Sequence, residues 1–362
     1  MHTVRAATPR TTAYRHLSPP TALRAEIPLP TAAAETVATA REGISEILAG
    51  EDDRLVVVAG PCSIHDPEAA LAYAEKLAAL SRQVEDSVLV VMRTYVEKPR
   101  TRLGWKGLIS DPLLNGSHDI EAGLRVARRT MIDVLGTGLP VGCEFLDPMV
   151  ARYLSDLVAW GSIGARTVQS QIHRQLTSGL PMPVGIKNAT GGGIEDAVDA
   201  IVAAGKGHVF PGISDEGVAA VLSTAGNPNC HLVLRGGADA PNYGPLHVSR
   251  ALAQLTEARQ HPSLFIDASH GNSGKDHRRQ PRVVEEIAAR IAEGEQGIAG
   301  VMIESFLAPG RQDLVLGRSD QLRYGQSITD ACVGWEQTEE LVTLLADTLR
   351  ARRSAADLAM AG

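Results

Sequence analysis

Eight short apolar stretches of this 362-residue chain run out into a residue that can ligate a metal or carry charge: Cys62, Arg93, Glu144, Arg166, Lys187, Arg235, His270 and Glu304. Cys62, His270 and Glu304, joined by Asp330 of the S-I-T-D-A-C stretch, would assemble one thiolate, one imidazole and two carboxylates. That mixed donor set suits Mn, Fe, Co or Zn better than Mg or Ca, which prefer oxygen donors alone. Taken singly, each residue has an ordinary alternative: an isolated cysteine after a strand is commonly core packing, and an isolated histidine a satisfied surface or core residue.

A second group is cationic. Arg93, Lys98, Arg100, Arg166, Lys187 and Arg235 would gather six positive charges in a chain whose formal net charge is −7. Arginine forks match phosphate and carboxylate oxygens, whereas lysine offers a point charge and a movable proton. A phosphate monoester carries roughly 1.5 to 2 negative charges, so one or two small phosphorylated substrates would balance much of this cluster. The glycine runs Gly191–Gly193 and Gly236-Gly237 could add backbone N–H groups, although most such runs are plain turns.

The elements that must position these residues are legible as short runs alternating with longer helical patterns. The runs are Leu55–Ala59, Val88–Met92, Val141–Phe145, Ile163–Ala165, Val184–Ile186, Val209–Ile213, His231–Leu234, Leu264–Ile266 and Val301–Ile303. Apolar runs of this kind read as parallel strands buried on both faces. The Val209–Ile213 run ends in Ser214-Asp215-Glu216 with no comparable residue, so it is expected to be half of a hairpin inserted near residues 208–224. The other eight fit an α/β fold of the (β/α)8 type, whose functional residues gather at the C-terminal ends of the strands. Residues 51–353 are expected to form that barrel, and residues 1–50 an N-terminal extension: an arm, Met1–Pro30, and a helix, Thr31–Leu48, stopped by Gly50.

Composition narrows the class. The negative net charge excludes a global basic field for nucleic acid, and no apolar window is long enough to span a membrane. The N-terminus lacks the apolar segment of a secretory signal, and four scattered cysteines make no disulfide framework, so a reduced, cytoplasmic location is expected.

Several motifs resemble those of the type I 3-deoxy-D-arabino-heptulosonate 7-phosphate (DAHP) synthase family. They are G-P-C-S-I-H-D-P at 60–67, M-R-T-Y-V-E-K-P-R-T at 92–101, G-W-K-G-L at 104–108, E-F-L-D at 144–147 and G-A-R-T at 164–167. S-Q-I-H at 170–173, K-N at 187–188, L-R-G-G at 234–237, D-A-S-H-G-N-S at 267–273 and S-I-T-D-A-C-V-G-W-E at 327–336 follow in the family's order. The similarity runs from about Ser18 to about Arg353. It implies a metal-dependent, aldol-type condensation of phosphoenolpyruvate with erythrose 4-phosphate, releasing phosphate, in aromatic amino acid biosynthesis. An amino-sugar variant serving a secondary pathway is the alternative.

Carried over by motif, Cys62, His270, Glu304 and Asp330 are the metal ligands, with manganese the preferred ion. Arg93, Glu144, Ala165, Arg166, Lys187 and Arg235 surround phosphoenolpyruvate, and Lys98, Arg100 and Thr101 the erythrose 4-phosphate. Lys98, Glu144 and His270 are the catalytic residues implied, and a homodimer or homotetramer the expected assembly. Ala189 replaces the glycine common at its place, and agreement is poor at Pro148–Arg152 and Phe210–Gly217, the segments of the family's effector pocket. Pro211, Gly212 and the charges of Asp215 and Glu216 therefore predict altered or lost feedback control.

Overall fold

A strand that is apolar at every position must be covered on both faces, and the computed structural model, which describes residues 10–361 except Thr12, shows how this chain does it. Two helices, α1 (Pro20–Glu26) and α2 (Thr31–Ala49), lead into β1 (Leu55–Gly60), α3 (Pro67–Val84), β2 (Val88–Arg93), α4 (Ile120–Gly136) and β3 (Val141–Glu144). Then come α5 (Val150–Leu154), β4 (Val158–Ile163), α6 (Gln171–Thr177), β5 (Val184–Lys187) and α7 (Glu195–Ala204). The hairpin β6 (Val209–Ile213) and β7 (Ala219–Ser223) is followed by β8 (Cys230–Leu234), α8 (Pro245–Glu257), β9 (Leu264–Asp267), α9 (Gln280–Ala292), β10 (Ile298–Glu304) and α10 (Trp335–Ala361). Eight of these strands close a parallel barrel in the order β1-β10-β9-β8-β5-β4-β3-β2. The ring shuts because β1 pairs with both neighbours, Leu55 facing Val88 and Gly60 facing Glu304. The chain is a (β/α)8 barrel.

The odd ninth run pairs only with β7, antiparallel and outside the barrel, as its ending suggests. The fourth barrel strand is a correction: it runs Val158–Ile163, not Ile163–Ala165, because Gly161 and Ser162 break the apolar run that would have marked it. Helix α1 is a second correction to the expected arm, started by Pro20 in the first turn, where a missing N–H costs nothing. Met1–Pro9 and Thr12, the rest of that arm's beginning, lie outside the described residues. Helix α2 ends as its sequence predicts, with Gly50 in the left-handed region at φ 76°.

Helix α2 packs into the barrel. Its Ile44, Ile47 and Leu48 join Val56, Val58, Val91, Trp160, Phe265 and Met302 in one buried cluster, and Arg41 donates to the carbonyls of Ser155 and Val158, where β4 begins. Trp160 stacks on Phe265 with centroids 5.8 Å apart. Its Nε1–H donates to His231 Nε2 at 3.2 Å, and burial lowers that imidazole to about 3, so it stays neutral. The N-terminal end of the barrel is thus plugged, and the C-terminal end carries the polar residues.

The hairpin tip is tied down. Asp215 pairs with Arg24 of α1 at 2.7 Å and with Arg152 of α5 at 3.6 Å, and its carbonyl accepts from the Thr21 N–H at 3.0 Å. The charge of Asp215, counted above toward altered or lost feedback control, is thus already balanced by two guanidiniums.

Candidate active site

Arg93, Glu144, Lys187 and Glu304 are the last residues of β2, β3, β5 and β10, and Arg235 follows β8 directly. Cys62, Arg166 and His270 lie within the first few residues after β1, β4 and β9, and Asp330 lies on the loop before α10. Parallel strands in register deliver all nine to one end of the barrel. Arg93, Lys98, Glu144, Ala165, Arg166, Lys187, Arg235, His270, Glu304 and Asp330 line one cavity of about 320 Å³ there.

The metal-ligating expectation meets a tight cluster. Ligand atoms of Cys62, Glu304 and Asp330 lie within 4.8 Å of one another. His270 stands beside this trio, its Nε2 3.6 Å from Glu304 and its Nδ1 2.8 Å from Asp267. Lys98 Nζ sits at 2.7 Å from Cys62 Sγ and 2.9 Å from Asp330, so a cation already bridges thiol and carboxylate. Burial would strip Lys98 of its proton, but Cys62, Asp330 and Glu304 outweigh that and raise its pKa. Burial, reinforced by Glu304, drives the Cys62 thiol up to about 12. A thiol so placed becomes a thiolate only beside strong positive charge. The donor chemistry of Cys62, Glu304 and Asp330 fits a borderline divalent metal, and His270 stands close enough to be a candidate fourth donor.

The cations fall into two kinds. Arg93, Lys98 and Lys187 are paired, with Glu304 at 3.0 Å, Asp330 at 2.9 Å and Asp267 at 2.8 Å. Arg166 and Arg235 have no ion pair among the described residues, which leaves them for an incoming anion. Arg93 keeps one free donor: its Nη1 is buried without a partner while Nη2 holds Glu304, and the guanidinium lies 3.7 Å from the Tyr95 ring centre. A buried, unsatisfied guanidinium N–H is costly unless something binds it. Glu144 is held over Gly164, where any Cβ would meet its Oε1 at 2.1 Å, so the glycine of G-A-R-T makes room for that carboxylate.

Two expected residues stand apart. Arg100 and Thr101 are exposed and do not line the cavity, and Arg100 folds over Gly104, where a Cβ would lie 2.6 Å from its Nε. The glycine runs are also reassigned. Gly192, Gly236 and Gly237 spend their N–H groups inside the protein, on Ala189 O, Asn242 Oδ1 and Ala240 O. Their smallness serves close backbone approach: a Cβ on Gly236 would sit 2.3 Å from the carbonyl carbon of Gly271.

Residue reasoning overlooked Asp267, although it opens the D-A-S-H-G-N-S motif. It is fully buried, pairs with both Lys187 and His270, and those charges hold it well below the usual carboxylate range against the pull of burial. A carboxylate on the Nδ1 side of a histidine fixes which nitrogen can face a metal. The strain fits this duty, for His270 sits at φ 54°. Gln280 was also missed; it clamps the end of β10 by exchanging hydrogen bonds with the Glu304 backbone at 2.9 and 3.1 Å. Only an apolar strand ending in an acid hinted at the first, and nothing at the second.

Comparisons with known proteins place the chain in one family. Residues 30–343 match the model of the DAHP synthetase I family. The chain is 51% identical over 352 residues to a phospho-2-dehydro-3-deoxyheptonate aldolase of Corynebacterium glutamicum, covering 96% of this chain and 95% of that one. It is 50% identical over 326 residues to the Tyr-sensitive phospho-2-dehydro-3-deoxyheptonate aldolase of Escherichia coli K12, covering 90% and 91%. A solved phospho-2-dehydro-3-deoxyheptonate aldolase from Francisella tularensis SCHU S4 superposes with a TM-score of 0.91 at 45% identity, over 94% of this chain and 99% of that one.

Proposed function

From the premise that this chain belongs to the DAHP synthetase I family, we propose how its barrel mouth divides the work. The protein is a transferase of the shikimate pathway that condenses phosphoenolpyruvate with erythrose 4-phosphate to DAHP and phosphate. Nothing in the site favours the amino-sugar variant.

Arg93, Arg166, Lys187 and Arg235, with the Ala165 backbone, bind phosphoenolpyruvate, and Lys98 binds the aldose phosphate together with Arg100 and Thr101 of the exposed segment beside it, which in this structure does not line the cavity. Holding two anions that would repel each other, with the reacting carbons in contact, is the cations' main contribution. The family is metal-dependent, and manganese is the ion proposed here. When bound by Cys62, His270, Glu304 and Asp330, the metal supplies Lewis-acid polarisation of an aldehyde oxygen. Lys98, half-buried and held charged, donates its proton to the alkoxide that forms as C3 of phosphoenolpyruvate bonds to the aldehyde carbon. Glu144 orients the water that adds at C2, and the resulting hemiketal phosphate expels inorganic phosphate.

The observation that carries this reading is the convergence of buried Arg93, Lys187 and Arg235 with the Cys62–Glu304–Asp330 cluster on one cavity. The test is phosphate release from the two substrates with and without a chelator. Release that stops with chelator and returns with Mn2+ supports it; release indifferent to chelator overturns the ligand assignment. A homodimer or homotetramer and a cytoplasmic location remain proposals, the first settled by light scattering on the eluting protein. So does a division at residue 50 between the extension and a catalytic barrel of 51–353; among the described residues no helix is long and apolar enough to cross a membrane.

A further inference from the structure

Three asparagines, Asn188, Asn242 and Asn272, are 0%, 5% and 6% exposed and stand behind the cavity wall. Asn188 Oδ1 accepts from the Arg235 backbone N–H at 2.8 Å and from Asn242 Nδ2 at 3.1 Å. Its Nδ2 donates to the carbonyls of Ala189 at 2.9 Å and Gly236 at 3.1 Å. The orientation of this amide is unambiguous, because donors face its oxygen and carbonyls face its nitrogen. Asn242 Oδ1 accepts from the Gly236 N–H at 2.7 Å, and the Asn242 N–H donates to Asn272 Oδ1 at 2.9 Å. Asn272 Nδ2 then donates to the carbonyls of Leu234 at 3.1 Å and Asp267 at 2.9 Å.

The consequence lies at one carbonyl. Gly236 O accepts from Asn188 and also from Nη1 of Arg235 itself, at 3.0 Å. The direction of the Arg235 guanidinium therefore follows the tilt of the Gly236 carbonyl, and Asn188 holds that tilt. Gly236 has little other freedom, being at φ 77° and pressed against Gly271. Among the described residues Arg235 has no carboxylate partner to aim it, unlike Arg93 or Lys187. We propose that Asn188, braced by Asn242 and Asn272, is a positioning residue that aims Arg235 at phosphoenolpyruvate. The proposal rests on the phosphoenolpyruvate reading above and extends it to residues that touch no substrate.

A double-mutant cycle on the full-length, metal-loaded enzyme tests it. Asn188→Ala should raise the phosphoenolpyruvate Kd by calorimetry, and its KM, roughly tenfold, the effect of about 1.4 kcal/mol. The aldose phosphate KM should move less than about twofold, an interval within the scatter of additive effects. In an Arg235→Ala background the same change should add almost nothing, because its effect passes through the guanidinium. Should Asn188→Ala fail to fold, Asn242→Ala, which removes the partner of the Gly236 N–H, carries the same cycle. An unchanged phosphoenolpyruvate Kd, equal rises in both KM values, or full additivity with Arg235→Ala would overturn the proposal and leave the asparagines a merely structural role. Wild-type enzyme that binds phosphoenolpyruvate yet releases no phosphate would refute the reaction reading instead, with the calorimetric cycle still deciding this one.

Discussion

Cys62 is buried, bridged by Lys98 and within ligand distance of Glu304 and Asp330, so its removal opens the donor set at its centre. Cys62→Ala is expected to lose bound metal and phosphate release together, read by elemental analysis and by the assay; retained activity would sink the ligand assignment. For the phosphoenolpyruvate side Arg235 is a cleaner probe than Lys187, because deleting Lys187 also takes one of its two charged partners from buried Asp267. Arg235→Ala should raise the phosphoenolpyruvate KM, and Arg100→Ala the aldose phosphate KM, each charged contact being worth on the order of 1.5–3 kcal/mol, roughly 10- to 100-fold. Equal effects of both variants on both constants would refute the division. Glu97 yields a pH prediction. Burial pushes its carboxyl up to about 8, although the N–H groups of Leu146 and Asp147 favour the charged form. With the folded pKa raised above the unfolded one, the native state binds the extra proton between them, and stability falls as pH rises from the ordinary carboxylate range toward 8. Glu97→Gln keeps an acceptor for those N–H groups and avoids the charge, so its melting temperature should exceed the wild type's above pH 8 and converge with it in acid. A gap that is constant with pH would contradict this.

At the scale of elements, the decisive contact is helix α2 across the N-terminal end of the barrel. Ile44 is fully buried against strands that the chain reaches only later. Ile44→Ala should cost about 2–5 kcal/mol of stability, the range for emptying a packed aliphatic site. Thermal or urea unfolding measures it, and a cost below about 1 kcal/mol would mean that the core relaxes around the gap. The loops at the other end are held by small residues: Gly236, Gly271 and Gly164 are sites where a Cβ would strike a carbonyl carbon, a carbonyl oxygen or the Glu144 carboxylate.

For the molecule as a whole the open question is regulation, since some relatives carry the names Tyr-sensitive, Phe-sensitive and Trp-sensitive. Asp215, once balanced by Arg24 and Arg152, no longer argues against an amino-acid ligand. Gly212 still does, because Leu222 reaches to within 2.5 Å of where its Cβ would stand and fills that side of the hairpin. Phenylalanine, tyrosine and tryptophan, titrated separately into the phosphate-release assay, are expected to inhibit only weakly below about 1 mM, a concentration at which a well-formed small-molecule site binds. Strong inhibition by any one of them shows that the hairpin pocket survives.

The eight strand-end residues, the barrel, the inserted hairpin and the stop of α2 were all legible from sequence. Each follows from a local cause: a run buried on both faces is continuously apolar, its exposed end is polar, and Gly50 permits φ 76°. Strand β4 was misplaced because glycine and serine can be fully buried in a barrel strand without looking apolar. What no linear pattern carries is the partnering of charges. That Lys98 bridges Cys62 and Asp330, that Asp267 serves Lys187 and His270 at once, and that Arg100 lies on Gly104 instead of lining the cavity depend on atoms brought together from distant strands. Sequence determined which groups reach the mouth, because strand periodicity is local; only the closed barrel decided which of them are paired and which are left for substrate, because pairing is set by distances across the ring.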